Sequence, residues 1–458
     1  MSDVTGINSE NDTGRGHWAG HLGFILAAAG SAIGLGNIWK FPYITGEYGG
    51  GAFVLVYLVC VVIVGLPLMI AEIMIGRRAQ RNPVGAFQAL HHRKSPWALT
   101  GWLGVASGFL ILSFYSVVAG WAIAYILKSI VGFTGSAAEI QDQFTQLVIS
   151  PGESIFWHTV FMVLCIGIVF GGVQRGIERW SRILMPALFL ILIILMCYGL
   201  FYTTGGGKAI AFLFKPDFSK LSAEGVLSAL GHAFFTLSLG MGAMITYGSY
   251  MKRSDNIIKN ALTVSVLDTV VALMAGIAIF SLVFHYGMEP AQSVGLIFKT
   301  LPVLFKETGP GISVPFFILL AFAALTSGIS LLEVVVSYFI DERGWSRAKS
   351  TLLLGGAIYI FGLLSAISSL TLPFRGKDQG IFDILDFITT NYMLPFGGLL
   401  TCLFTVWVFK KKEKIEEFGS GGTLYQIFNI IIKVITPIAV IIILLHGLKL
   451  LPFMSYTE

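Results

Sequence analysis

The run Ala28-Ala29-Gly30-Ser31-Ala32-Ile33-Gly34-Leu35-Gly36-Asn37-Ile38-Trp39-Lys40-Phe41-Pro42 lies in the first apolar segment of this 458-residue chain and decides how the rest is read. The segment is long enough to cross a bilayer as a helix, which takes about 20 residues. Its middle resists that conformation: three glycines in seven residues are followed by an asparagine and then a proline, all poor helix formers. Gly30 and Gly34 also have the GxxxG spacing of tightly packed membrane helices. The stretch alone therefore fits either small-residue packing or a helix that breaks at mid-membrane depth.

A second disturbed stretch bears on that choice. Phe234-Phe235-Thr236-Leu237-Ser238-Leu239-Gly240-Met241-Gly242 sets hydroxyls and two glycines in the middle of the sixth apolar segment. Segments one and six run in opposite directions if the repeat is five helices long. Two mirrored breaks are the mark of inverted-repeat transporters, whose free N–H and carbonyl groups meet at the bilayer midplane. Irregular backbone at that depth persists only where it is buried or lines a cavity.

Composition places the whole chain in a membrane. Charged residues make up only 12% and the hydrophobic set 55%, with a mean hydropathy of +0.80. A soluble fold of this length could not cover that much apolar surface, which excludes a soluble enzyme, a disordered chain and a nucleic-acid binder. Eleven segments are long and apolar enough to span: 22–46, 50–76, 100–128, 155–172, 180–203, 223–251, 260–285, 312–340, 350–370, 381–409 and 424–449. Their continuous apolar character points to helices rather than a barrel. With the N-terminus inside, 19 of the 30 Lys and Arg face the cytoplasm and 9 face outward, so the positive-inside rule predicts a cytoplasmic N-terminus and an outer C-terminus. The expected organisation is a mobile tail at 1–16, a transporter domain at 17–449 and an outer tail at 450–458. Within the domain the repeats cover about 20–205 and 220–410, and 424–449 is an extra helix. The N-terminus has neither the basic start nor the short apolar core of a signal peptide. Cys60, Cys165, Cys197 and Cys402 match no zinc or disulfide framework and are expected to be small buried hydrophobes.

Other polar residues interrupt the apolar runs. Glu72, Asp268, Glu333 and Asp386 sit in or near them, where a carboxylate is costly without a partner. For Glu72 and Glu333 the expectation is a structural bond to neighbouring backbone. Asp268 is deeper, and a bound cation would stabilise its charge. Thr326 and Ser327 supply adjacent hydroxyl oxygens, which either bond back to the preceding turn or act as hard ligands suited to Na⁺.

These motifs resemble the neurotransmitter:sodium symporter family, in particular its bacterial amino-acid transporter branch. The resemblance runs from about Gly16 to the last segment and includes Gly49-Gly50-Gly51-Ala52-Phe53 and Leu325-Thr326-Ser327. It implies an all-α integral membrane protein of 11 transmembrane helices, a five-plus-five inverted repeat with helices 1 and 6 broken, in a bacterial inner membrane. It implies two sodium sites. The first would use Ala32, Asn37, Thr236 and Asp268. The second would use Gly30, Ile33, Ala323, Thr326 and Ser327. An amino-acid carboxylate would meet the N–H groups of Leu35 and Gly36 and the Tyr115 phenol. Its ammonium would meet carbonyls of Ala32, Phe235 and Thr236 and the Ser238 hydroxyl. Ile111, Tyr115, Phe235, Met241, Ser327 and Leu331 would surround the side chain.

Departures from the family pattern refine the expectation. Amine carriers have Asp where this chain has Gly34, so an amino acid that brings its own carboxylate is the better substrate. Chloride-dependent relatives have Asn at the position of Asp268 and Ser at that of Ala272, so transport without chloride is expected. Gly240-Met241-Gly242 resembles members that take bulky hydrophobic or aromatic L-amino acids. Tyr115 and Phe235 would close over the substrate, Lys40 and Asp386 would bridge the outer vestibule, and Arg15, Trp18 and Asp341 would latch the inner end. Lys40 stands where the family usually has Arg, without that residue's bidentate fork. Gly176 and Pro186 resemble an unwinding motif in the fifth helix, which an ordinary proline kink would also fit.

Rival classes are an ion channel, an intramembrane enzyme and a sodium-dependent amino-acid sensor that transports little. The sequence has no GxSxG, HExxH or P-loop pattern, and its eight His are scattered. A sensor would carry the same binding residues.

Overall fold

The computed structural model describes residues 16–289, 294–448 and 450. Nine continuous helices among the described residues are long and apolar enough to cross a membrane: Gly51–Ala79, Ala98–Val131, Pro151–Phe170, Val173–Tyr202, Ile257–His285, Pro310–Arg343, Arg347–Ala366, Ile381–Trp407 and Thr423–Gly447. A tenth span is a bent pair, His21–Ala32 and Gly36–Glu47, whose axes differ by 49°. The sixth expected span consists of two short helices, Ala223–Thr236 and Ala243–Gly248, separated by residues 237–242. Neither is long enough to cross alone. Large apolar side chains such as Leu55, Val59, Val62, Ile193 and Ile194 are exposed on the outside of the bundle, as a lipid-facing surface requires.

Small residues set how closely the helices approach. A Cβ on Gly76 would lie 2.0 Å from the Ile245 carbonyl oxygen, and one on Gly248 would lie 2.8 Å from that of Ile73. Helix Gly51–Ala79 and the short helix Ala243–Gly248 thus meet backbone to backbone. Gly108 brings helix Ala98–Val131 against Pro310–Arg343 in the same way, with the Leu331 carbonyl 3.2 Å from where its Cβ would be.

The described residues also contain one hairpin, Thr371–Phe374 paired antiparallel with Lys377–Gly380. Its two-residue turn, Arg375-Gly376, has both φ values positive, the twist that suits a tight hairpin. Of the four cysteines, Cys165 and Cys402 are buried, whereas Cys60 and Cys197 are only half-buried. The expectation of burial fails for these two because each lies on a span with exposed neighbours such as Val59 and Ile194.

Helix Lys411–Phe418 ties the end of the second span to the connection between the last two. Arg77 Nε donates to Glu417 Oε2 at 2.6 Å and Arg77 Nη2 to the Glu417 carbonyl at 2.8 Å. Arg77 Nη1 also donates to the Asp255 carbonyl. Lys414 Nζ caps helix Leu394–Trp407 by donating to Thr405 O at 2.8 Å, and burial lowers its pKa. Because Arg77 and Glu417 are 4% and 6% exposed, Glu417→Ala should strand a buried guanidinium and lower stability by about 3–5 kcal/mol. Thermal unfolding in detergent will read this as a lower Tm, with Arg77→Met/Glu417→Leu recovering most of the loss.

Candidate functional site

The first break begins where helix His21–Ala32 stops and Ile33 turns extended, with ψ of 96°. Helical structure resumes in a π-helical turn at Gly36–Lys40. Gly34 N–H donates to Asn37 Oδ1 at 3.0 Å, and Leu35 N–H points at the Tyr115 hydroxyl at 3.4 Å. In the second break Ser238, Gly240 and Gly242 all have positive φ, at 54°, 77° and 76°. Gly240 has no room for a side chain either, since a Cβ would lie 2.1 Å from the Leu394 carbonyl oxygen. Its N–H donates to Glu72 Oε1 at 2.7 Å, so Glu72 makes the backbone bond expected of it. Glu333 differs: it accepts from Arg347 Nη1 and Nη2 at 2.5 and 2.9 Å and from the Tyr250 hydroxyl at 2.5 Å. The turn after Arg343 returns Arg347 to Glu333, so a side-chain ion pair replaces the backbone bond.

Between the breaks lies a small cavity of about 30 Å³. It brings together Ala32, Leu35, Gly36, Ile111, Tyr115, Phe235, Thr236, Ser238, Met241, Ser327 and Leu331. Ser31, Gly34 and Ser330 also line it, and the sequence reading gave Ser31 and Ser330 no role. A Cβ on Gly34 would stand 2.5 Å from Ser327 Oγ and 3.3 Å from the Tyr115 hydroxyl. Any side chain at this position would push into the cavity.

Beside the cavity, Asp268 is fully buried and accepts from three side chains. Asn37 Nδ2 donates to its Oδ1 at 2.7 Å, Thr236 Oγ1 at 3.0 Å, and the Tyr57 hydroxyl donates to its Oδ2 at 3.3 Å. Asn37, Thr236 and Asp268 therefore form one cluster, with Ala32 on the adjoining cavity wall. Tyr57 was not singled out from the sequence. The available signal was a lone phenol in the apolar run after Gly51.

Of the groups expected at the second cation site, Gly30, Thr326 and Ser327 come together where the first and eighth spans touch. Ser327 Oγ donates to the Ser31 carbonyl at 3.1 Å and lies 3.4 Å from that of Gly30. A Cβ on Gly30 would lie 3.0 Å from Thr326 Cβ. Thr326 itself bonds back to Ala323 O at 3.0 Å, and Ile33 and Ala323 are fully buried. The oxygen types suit Na⁺.

A second cavity of about 200 Å³ adjoins the first, and Leu35, Gly36, Tyr115 and Phe235 line both. Lys40, Asp383 and Asp386 also face it. Among the described residues no ion pair joins Lys40 to Asp386. Lys40 Nζ instead sits 5.0 Å from the centre of the Phe235 ring, and Asp386 Oδ1 accepts from Thr390 at 3.1 Å.

At the opposite end Trp18 is buried against Tyr247 and Tyr250, with ring centres 5.3 and 5.9 Å away. Its indole N–H donates to Tyr247 O at 3.0 Å. Asp341 accepts from the Asn82 backbone at 2.7 Å. Arg15 lies outside the described residues. Glu178 holds the start of the first span by accepting from Ala19 N–H at 2.8 Å. Glu178 ends the π-helical stretch Val173–Glu178 that contains Gly176. A Cβ on Gly176 would lie 2.0 Å from the Ile168 carbonyl oxygen, so the glycine permits a close turn there, and Pro186 follows inside the next helix.

This geometry has counterparts. A solved structure, MhsT in complex with L-phenylalanine, superposes with a TM-score of 0.86 at 43% identity, covering 94% of this chain and all of that one. An uncharacterised sodium-dependent transporter of Bacillus subtilis is 38% identical over 447 residues, 95% of this chain and 98% of its own. One from Haemophilus influenzae is 33% identical over 454 residues, 96% of this chain and 99% of its own. The model of the sodium:neurotransmitter symporter family matches residues 15–136 and 133–458. The chain belongs to that family, whose members are membrane transporters and not enzymes.

Proposed function

We propose that the protein is a sodium-coupled symporter that takes up neutral L-amino acids, bulky hydrophobic or aromatic ones in particular, by alternating access. The observation that carries this reading is the cavity's lining, which gathers Leu35, Gly36 and Tyr115 with Ala32, Phe235, Thr236 and Ser238 and, among the described residues, holds no carboxylate side chain. The proposed cargo meets a donor end and an acceptor end there. The donor end is Leu35 N–H, Gly36 N–H and the Tyr115 hydroxyl. The acceptor end is made of carbonyls of Ala32, Phe235 and Thr236 with Ser238 Oγ. A zwitterion needs both ends. Ile111, Met241 and Leu331 give the side chain apolar surroundings, where a charge would be costly. The complex of MhsT with L-phenylalanine supports the same substrate class.

Two sodium ions are the proposed co-substrates. Asn37, Thr236 and Asp268 with the Ala32 carbonyl hold the first, next to the substrate carboxylate. The carbonyls of Gly30, Ile33 and Ala323 with Thr326 and Ser327 hold the second. The fixed charge of Asp268 takes the place of chloride. Each Na⁺ entering across about 100 mV contributes about 2.3 kcal/mol, roughly fifty-fold accumulation. Tyr115 and Phe235 close the cavity toward the outer vestibule, and Lys40 approaches Asp386 as they do. The proposed topology has eleven spans in two inverted halves, in a bacterial inner membrane, with the N-terminus cytoplasmic and the C-terminus outside.

In proteoliposomes an inward Na⁺ gradient should drive accumulation of a labelled neutral L-amino acid above equilibrium, and K⁺ in place of Na⁺ should abolish it. Sodium-dependent binding without accumulation would favour an amino-acid sensor. Replacing chloride by gluconate should leave the initial rate within about 20% of its value, since no chloride charge is needed beside Asp268; a rate cut by half would refute this point. Gly34→Asp should weaken amino-acid binding more than a hundred-fold, about 3 kcal/mol. Its carboxylate would meet the substrate's own in a buried site, and equilibrium binding in Na⁺ measures the loss.

A further inference from the structure

Ser31, Ser238, Ser327 and Ser330 come from three different spans and meet at the cavity wall. Their hydrogen bonds fix where each proton points. A carbonyl can only accept, so three of the four protons are assigned directly. Ser330 Oγ donates to Ser327 O at 2.8 Å, Ser238 Oγ to Ser31 O at 2.8 Å, and Ser327 Oγ to Ser31 O at 3.1 Å. Ser31 Oγ lies 2.8 Å from Ser330 Oγ, whose proton is already committed, so Ser31 is the donor of that bond. Its other neighbour, Ser238 Oγ at 3.3 Å, has likewise committed its proton. All four donors are thus used inside the protein, and only lone pairs remain on these oxygens.

The reading above gives Ser238 to the substrate ammonium and Ser327 to the second Na⁺. Ser31 and Ser330 are left over. They add two acceptor-only oxygens to a cavity lining that also holds the apolar side chains of Ile111, Met241 and Leu331. From this we infer that Ser31 and Ser330 select neutral amino acids whose side chain has an apolar body with one N–H or O–H donor, an indole or a phenol, over isosteres that lack the donor. An apolar side chain leaves the lone pairs of these two oxygens unpaired in a dry site, whereas a donor-bearing one satisfies them. This inference rests on the cavity being the amino-acid site.

Competition against labelled L-phenylalanine in Na⁺ tests it with matched pairs. L-Tryptophan is compared with benzothienylalanine, in which sulfur replaces the indole N–H, and L-tyrosine with L-phenylalanine. The donor-bearing member should bind about tenfold more tightly in at least one pair. Ser330→Ala removes one of the two acceptor oxygens, so it should narrow the ratio to less than about threefold. If the variant does not fold, the wild-type ratios still decide. Benzothienylalanine binding as well as tryptophan, and phenylalanine as well as tyrosine, all with sodium dependence, would overturn the inference and leave the amino-acid site standing. No sodium-dependent binding by any of the four would remove the amino-acid site as well.

Discussion

Backbone that leaves a helix in the middle of a bilayer must find other hydrogen-bond partners, and this constraint organises the molecule. The second break depends on Glu72, whose carboxylate takes the Gly240 N–H from a neighbouring span. The first break is held by Asn37, which turns back to the Gly34 N–H. Tyr115 from the third span stands over Leu35 N–H, and the Ser31 carbonyl accepts from Ser238 and Ser327. Three spans besides the two broken ones therefore fix the irregular segments. The proposed cargo would bind along these same two segments, so binding and structural repair would draw on the same groups.

The breaks were legible because glycine, asparagine and proline in an apolar run conflict with helix formation whatever lies around them. Asp268 was legible for a similar reason, since a carboxylate that deep requires a partner. Its partner Tyr57 was not, because one phenol in a span carries no periodic signal and its contact lies 211 residues away. Ser31 and Ser330 are further still, 299 residues apart. Serine is so unremarkable in a membrane helix that only the fold reveals it as part of a cluster. The glycines at 76 and 248 read as ordinary small residues until the packing of Gly51–Ala79 on Ala243–Gly248 gives each a backbone to meet.

Charge pairs were harder to read than charge positions. Lys40 and Asp386 do face one vestibule, as their places toward the ends of two spans suggest. Whether they touch depends on how far the spans lean together, and no local sequence feature encodes that. In this conformation Lys40 rests over Phe235, where an ammonium gains from the ring face about what an exposed ion pair would give it. Moving from one contact to the other therefore costs little, which suits a residue that shifts as Phe235 moves.

The two ends of the cavity are held by unequal means, and on the proposed mechanism this inequality is useful. Toward the vestibule, the wall shared by the two cavities includes the Tyr115 and Phe235 side chains, and side chains can rotate without disturbing the backbone. Toward the other end, the first span is fixed by the buried Trp18 indole, by Ala19 N–H on Glu178 and by Gln174 Nε2 on the His17 carbonyl at 2.7 Å. Opening that end means breaking all of these together. Glu178 and Gln174 both belong to the π-helical stretch around Gly176, so local unwinding there would release several bonds at once and not one at a time. A ligand shifts such an equilibrium only by its differential affinity for the two states. The second proposed cation site touches the first span at Gly30 and Ile33, on the helix whose start Glu178 holds. An ion leaving that site would weaken the attachment of the first span to the eighth, and the clamp at Glu178 would then be the remaining barrier to release inward.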